Sequence, residues 1–140
     1  MVEFRHSCEI AATPESVFAA IGDPKRLARW WGPSGFTNTF SVCEFKPGGK
    51  WSLVMHGPEG VDYPNENLFE EIDPPHRIVV GHPSQPVYRL VILLTPTAGG
   101  TIVSWTQTFE NDALARQIES IVVPANDQNL ERLRAEVLRT

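Results

Sequence analysis

Residues 90–109 read LVILLTPTAGGTIVSWTQTF, and the reading of this stretch decides the fold. In its second arm Val103, Trp105 and Phe109 alternate with Ser104, Thr106 and Thr108, the period of a pleated strand with one buried face. The turn residues Pro96-Thr97-Ala98-Gly99-Gly100 join that arm to an apolar run, so the two form an antiparallel hairpin. Parity then puts Leu90, Ile92 and Leu94 inward with Val103, Trp105, Gln107 and Phe109, and leaves Val91, Leu93 and Ile102 outward.

Working back toward the N-terminus, the same reading finds six strand-like segments between Phe36 and Phe109. Their other breaks are Lys46-Pro47-Gly48-Gly49, Gly57-Pro58-Glu59-Gly60, Asp73-Pro74-Pro75 and His82-Pro83-Ser84-Gln85-Pro86. None of these connections is long enough for a parallel crossover, so the neighbours are antiparallel. A further strand runs from Phe4 to Ile10, where Phe4, His6, Cys8 and Ile10 share one parity. Between it and Phe36, Thr13-Pro14-Glu15 and Asp23-Pro24 each place a side-chain oxygen at a helix N-cap with proline at the first helical position. Val17, Phe18 and Ile21 form one face of the first short helix. Leu27, Trp30 and Trp31 form one face of the second, which Gly32-Pro33 terminates.

Beyond Phe109 the period changes to that of a helix. Leu114, Ile118, Ile121 and Val122 form one apolar set, and Leu130, Leu133 and Val137 form another after Pro124, a residue expected to kink or restart the helix. The fold class is α+β: seven antiparallel strands curled around a long C-terminal helix, with two short helices, in one domain spanning residues 1–140.

The chain has 140 residues, 41% of them hydrophobic, enough for one well-formed core. Its formal charge is -5 and it holds no Lys/Arg run, so nucleic acid and anionic membrane surfaces are poor partners. The opening residues lack the apolar core of a signal peptide, and no apolar run has the length to span a bilayer, so a cytoplasmic location is expected. Cys8 and Cys43 lack metal-ligand spacing and are read as reduced thiols, with no metal and no cofactor expected.

Several segments, in order along nearly the whole chain, resemble the START-related SRPBCC superfamily and, within it, the activator-of-heat-shock-protein-ATPase-like family. They are Ala12-Thr13-Pro14-Glu15-Ser16-Val17-Phe18, Trp30-Trp31-Gly32-Pro33, Lys46-Pro47-Gly48-Gly49-Lys50-Trp51, the Gly57-to-Gly60 hairpin and Glu71-Ile72-Asp73-Pro74-Pro75-His76-Arg77. Gly100-Thr101, Phe109 and Asn126-Asp127-Gln128-Asn129-Leu130-Glu131-Arg132-Leu133 complete the set. The resemblance implies a helix-grip fold with an internal cavity. It fixes no activity, because relatives include lipid carriers, polyketide cyclases, drug-sequestering proteins and a co-chaperone domain.

Strand parity nominates the lining of that cavity independently of the resemblance. The inward sets are His6, Cys8 and Ile10; Phe40 and Val42; Trp51, Leu53 and Met55; Leu90, Ile92 and Leu94; and Val103, Trp105, Gln107 and Phe109. Asn126, Leu130 and Leu133 close the space from the last helix, and Trp30 with Trp31 stands as an entrance gate or as packing. The parity of 68–72 and 78–82 is ambiguous. Such a wall of aromatics with few polar groups suits a small hydrophobic molecule, although the same aromatics serve equally as solid core.

His6 is the one inward ionisable ring, able to bond to a ligand oxygen or simply to a structural partner. Gln107 and Asn126 are buried amides that protein or ligand can satisfy. His56 and His76, beside turn residues, read as solvated loop positions. No nucleophilic triad, phosphate loop or dinucleotide fingerprint is present, so no catalytic residue is assigned.

Three functions follow: binding of a small hydrophobic or aromatic ligand, a cyclase- or dehydratase-like enzyme using the same cavity, or a protein-interaction module with a filled core. The outward stripe of Val91, Leu93 and Ile102 further suggests a homodimer through one self-complementary patch.

Overall fold

Thr13 and Asp23 start the two short helices as their side chains dictate. Thr13 Oγ1 accepts from the Ser16 amide at 3.2 Å, and an Asp23 carboxylate oxygen accepts from the Lys25 amide at 3.0 Å. Asp23 stands before a proline and is therefore held extended, at φ -88° and ψ 116°. That one residue both ends α1 (Pro14–Gly22) and caps α2 (Pro24–Trp30).

The computed structural model describes residues 1–139. After β1 (Val2–Ile10) and the helix pair come β2 (Thr37–Cys43), β3 (Gly49–His56), β4 (Asp62–Asp73), β5 (Arg77–His82), β6 (Tyr88–Thr97), β7 (Gly100–Phe109) and α3 (Asp112–Val137). The seven strands form one curved antiparallel sheet in the order β1-β7-β6-β5-β4-β3-β2. The first strand thus pairs with the last, and every other pairing is between sequence neighbours.

The hairpin register puts Ile92 opposite Trp105 and Leu94 opposite Val103, and β1 continues those rows with His6 opposite Trp105 and Cys8 opposite Val103. Inward residues of these strands are largely buried; outward ones are exposed on β1 and half-buried to exposed on β7, as the alternation requires. Gly100 closes the hairpin at φ +148°, where a Cβ would collide with the Ile10 carbonyl.

Two bulges alter the reading made from parity. The β2–β3 register shifts between Phe40 and Val42, so Val42, expected inward, lies on the outer face at 38% exposure. The β4–β5 register shifts between Phe69 and Glu71. This resolves the ambiguous segment, burying Phe69 inward and sending Glu70 outward over Gly81, whose missing side chain leaves room for the carboxylate.

The C-terminal helix also differs from expectation. It runs unbroken through Pro124, which removes one amide donor without restarting the helix. Ile121, assigned to the apolar face, is 70% exposed, because the buried stripe passes through Ala115, Asn126, Asn129, Leu130, Leu133 and Glu136. His56 lies in β3 and not in a loop. Its Nδ1 bonds Asp62 Oδ1 at 2.7 Å and its Nε2 bonds Thr39 Oγ1 at 2.8 Å, tying β3 to both neighbours.

The main core joins Trp30, Trp31, Trp51, Phe69, Ile92, Trp105, Leu130 and Leu133 between sheet and helices, each aliphatic member stabilising the fold by about 1.5–3 kcal/mol. A smaller cluster of Val2, Phe4, Phe109 and Ala115 sits at the other end of α3.

Candidate functional site

The polar run 126–132 on α3 organises the interior one residue at a time. Asn126 Oδ1 accepts from the Trp105 indole at 3.2 Å, and Asn126 Nδ2 donates to Gln107 Oε1 at 2.9 Å. Asp127 accepts from His6 Nδ1 at 2.7 Å, and Gln128 Oε1 accepts from the Ser34 amide at 3.1 Å. Asn129 uses both ends of its amide on backbone, donating to the Trp30 carbonyl at 3.0 Å and accepting from the Gly32 amide at 3.3 Å.

Arg132 completes the set. Its Nη1 donates to the carbonyls of Trp31, Gly32 and Pro33 at 3.0, 2.9 and 2.8 Å, and its Nη2 to those of Arg29 and Phe36 at 2.7 and 2.8 Å. One guanidinium thereby takes the Arg29 carbonyl in the last turn of α2 and four carbonyls of the segment that follows, fixing that segment against α3. Desolvation lowers its pKa from the usual arginine value.

Between this face of α3 and the sheet lies a cavity of about 150 Å³. Trp31, Gly32 and Pro33 form its rim from the segment that Arg132 holds. Met55, Asn65, Tyr88, Leu90, Trp105 and Gln107 come from the strands, and Val122, Ala125, Asn126 and Asn129 from α3. Gly32 stands at φ +94°, a conformation that favours glycine, and a Cβ there would come within 2.9 Å of the Met55 methyl, which would have to shift.

Of the residues nominated from sequence, the structure brings Trp31, Met55, Leu90, Trp105, Gln107 and Asn126 together at this wall. Trp30, Phe40, Trp51, Ile92 and Leu130 are inward but packed behind it. Trp30 donates its indole N–H to the Ala20 carbonyl at 2.9 Å, and Trp51 stacks on Phe69 at 5.2 Å and on Phe40 at 6.0 Å. His6 and Cys8 also face inward without reaching the wall. Burial raises the Cys8 thiol pKa, and His6 leaves its Nε2 buried with no protein partner.

Sequence reasoning passed over Tyr88, Asn65 and Asn129. Tyr88 stands two residues before Leu90 and so shares its face, which a strand begun at 88 would have revealed. Burial pushes its phenol well above the usual tyrosine range, so the hydroxyl stays protonated. Asn65 lies in a stretch of β4 whose inward residues, Asn65 and Asn67, are polar: Asn67 Nδ2 donates to Asn65 Oδ1 at 3.0 Å. No apolar alternation marks that strand. Near it, Trp51 Nε1 and Asn67 Oδ1, on residues paired across β3 and β4, are buried without protein partners.

On the outer face Leu93 is 37% and Ile102 39% exposed, and Val91 is half-buried. No helix of the described residues is long and apolar enough to cross a membrane, and no described group of His, Cys, Asp and Glu is arranged to hold a metal ion.

The family model for Activator of Hsp90 ATPase homolog 1-like protein matches residues 11–137. Among solved structures, a protein from Arthrobacter aurescens is similar at 25% identity and a TM-score of 0.90, covering 99% of this chain and 87% of that one. A protein from Nitrosomonas europaea is similar at 23% identity and a TM-score of 0.88, covering 97% and 94%. The AHSA1-like protein from Aeromonas hydrophila is similar at 20% identity and a TM-score of 0.78, covering 99% and 97%. No curated protein matches the chain.

Proposed function

The chain belongs to the Activator of Hsp90 ATPase homolog 1-like family, and from that premise we propose that it binds a small hydrophobic or aromatic molecule in the cavity beneath α3. The observation that carries this reading is the wall itself: Trp31, Met55, Leu90 and Trp105 supply apolar surface around the amides of Gln107 and Asn126. Apolar area gives affinity, and a few placed polar groups give orientation. A volume of about 150 Å³ lies below the roughly 300–1,000 Å³ of drug-sized pockets and matches an apolar cavity known to take up a single benzene ring.

Native mass spectrometry of gently purified protein, followed by titration with one-ring probes read by tryptophan fluorescence, tests the proposal. A retained mass or saturable quenching supports it. Absence of both would favour a surface-interaction module, the second reading, which the modest cavity volume supports. The cyclase-like alternative has less support, since the wall carries no histidine among the described residues and Tyr88 is its ionisable group.

Self-association through the outward Val91, Leu93 and Ile102 is part of the same proposal. Light scattering at micromolar concentration tests it, and a monomer mass would remove it.

A further inference from the structure

Trp105 can only donate a hydrogen bond, and that fact sets the polarity of everything bonded to it. The Asn126 atom 3.2 Å from the indole nitrogen must be its oxygen, so the Asn126 NH₂ points the other way. The Gln107 atom that receives it at 2.9 Å must in turn be the oxygen, which leaves the Gln107 NH₂ as the end of the relay. Gln107 is 8% exposed and forms part of the cavity wall. A donor of fixed direction is therefore presented at a wall where Trp31, Met55, Leu90 and Trp105 supply the apolar surface.

Charge on the wall points the same way. Tyr88 is its ionisable side chain and stays neutral, while the nearby Arg132 guanidinium is already committed to five backbone carbonyls. Among the described lining residues there is no Lys, Arg or His to pair with an anion, and an unpaired charge in such a space is costly.

Resting on the ligand-binding reading, we infer that the cavity selects a neutral molecule of single-ring size carrying a hydrogen-bond acceptor, such as an aryl ketone, whose oxygen is received by Gln107 Nε2. The relay Trp105–Asn126–Gln107 acts as a polarity filter. Acceptor ligands satisfy the terminal donor, whereas hydrocarbons of equal shape leave it unpaired.

Acetophenone and α-methylstyrene differ only in C=O against C=CH₂, and benzoate adds a negative charge to a similar ring. Titrating each into ¹⁵N-labelled protein, with the tryptophan indole and glutamine side-chain amide signals followed by NMR, reads occupancy and contact together. Acetophenone should bind about 3- to 10-fold more tightly than α-methylstyrene, and benzoate more weakly than acetophenone. The acetophenone preference should vanish in Gln107→Met and in Gln107→Glu, the second variant keeping an oxygen for Asn126 should the first fail to fold. Equal binding of acetophenone and α-methylstyrene, or tighter binding of benzoate, overturns this inference and leaves ligand binding standing. Binding of none of the three at millimolar concentration overturns the ligand-binding reading and this inference with it.

Discussion

Glu136 holds Arg29 at two points, with Arg29 Nε donating to Oε1 at 2.8 Å and Nη2 to Oε2 at 2.9 Å. Arg26 adds a bond from Nε to Oε2 at 3.0 Å, so a single buried carboxylate on the last turn of α3 ties down α2. Since α2 leads directly into Trp31-Gly32-Pro33, this clamp and Arg132 together set the rim of the cavity. The rim is held from α3 by electrostatics and backbone hydrogen bonds, and from within by Trp31, which packs edge-on against Trp51 at 4.8 Å.

The clamp predicts an acid-sensitive contribution to stability. The Arg29 and Arg26 bonds, outweighing desolvation, bring the Glu136 pKa down to about 2, against about 4.3 for an unfolded glutamate. A depressed carboxylate pKa stabilises the fold above the unfolded value and loses that contribution as pH falls toward the folded one. Glu136→Gln should cost about 1–2 kcal/mol near neutral pH, a figure reduced for the exposure of Arg29 to solvent. The difference from the parent should shrink below about pH 4 and close near pH 2. Thermal melts of both proteins across that range check it, and a difference that stays constant down to pH 2 would refute the account.

Arg132→Lys keeps the charge and loses the fork. An ammonium cannot reach five carbonyls spread over residues 29–36, so about 2 kcal/mol of stability should be lost. Amide exchange in 31–36 should accelerate more than in β7. Uniform acceleration along the chain would show that Arg132 acts globally instead.

Gly32→Ala should destabilise by about 1–2 kcal/mol, through its positive φ and through contact with Met55. Met55→Ala in the same chain removes the contact and leaves the backbone strain, so chemical denaturation of the double variant should show partial recovery relative to the sum of the single changes. Strict additivity would assign the whole effect to the backbone.

Trp105→Phe removes the donor that orients Asn126 and leaves Asn126 Oδ1 buried without it, an expected cost of about 1–3 kcal/mol beyond the lost packing. The side-chain amide signals of Asn126 and Gln107 should broaden or double as the relay loses its fixed direction. Sharp, unmoved signals would mean that packing, not the indole donor, holds the amides.

Much of this architecture is legible in the sequence. Thr13, Asp23 and their prolines marked both short helices, because a cap and its first turn are local chemistry. Trp105, Gln107 and Asn126 were legible as inward residues, but their direct bonding was not, since strand β7 and helix α3 meet only once the chain has turned back on itself. Val42 and Ile121 were misplaced for related reasons: a bulge at Ser41 advances the pleat by one residue, and the buried stripe of α3 is set by what it packs against.

The sequence by itself determined the strands, their antiparallel pairing, the starts of the two short helices and the family, all of which depend on neighbours a few residues apart or on ordered motifs. Only the tertiary structure decided which inward residues line a cavity and which lie behind it, because parity gives a face and says nothing of depth. It alone paired Glu136 with Arg29 and Arg132 with the 29–36 carbonyls, contacts between segments about a hundred residues apart that no local pattern encodes.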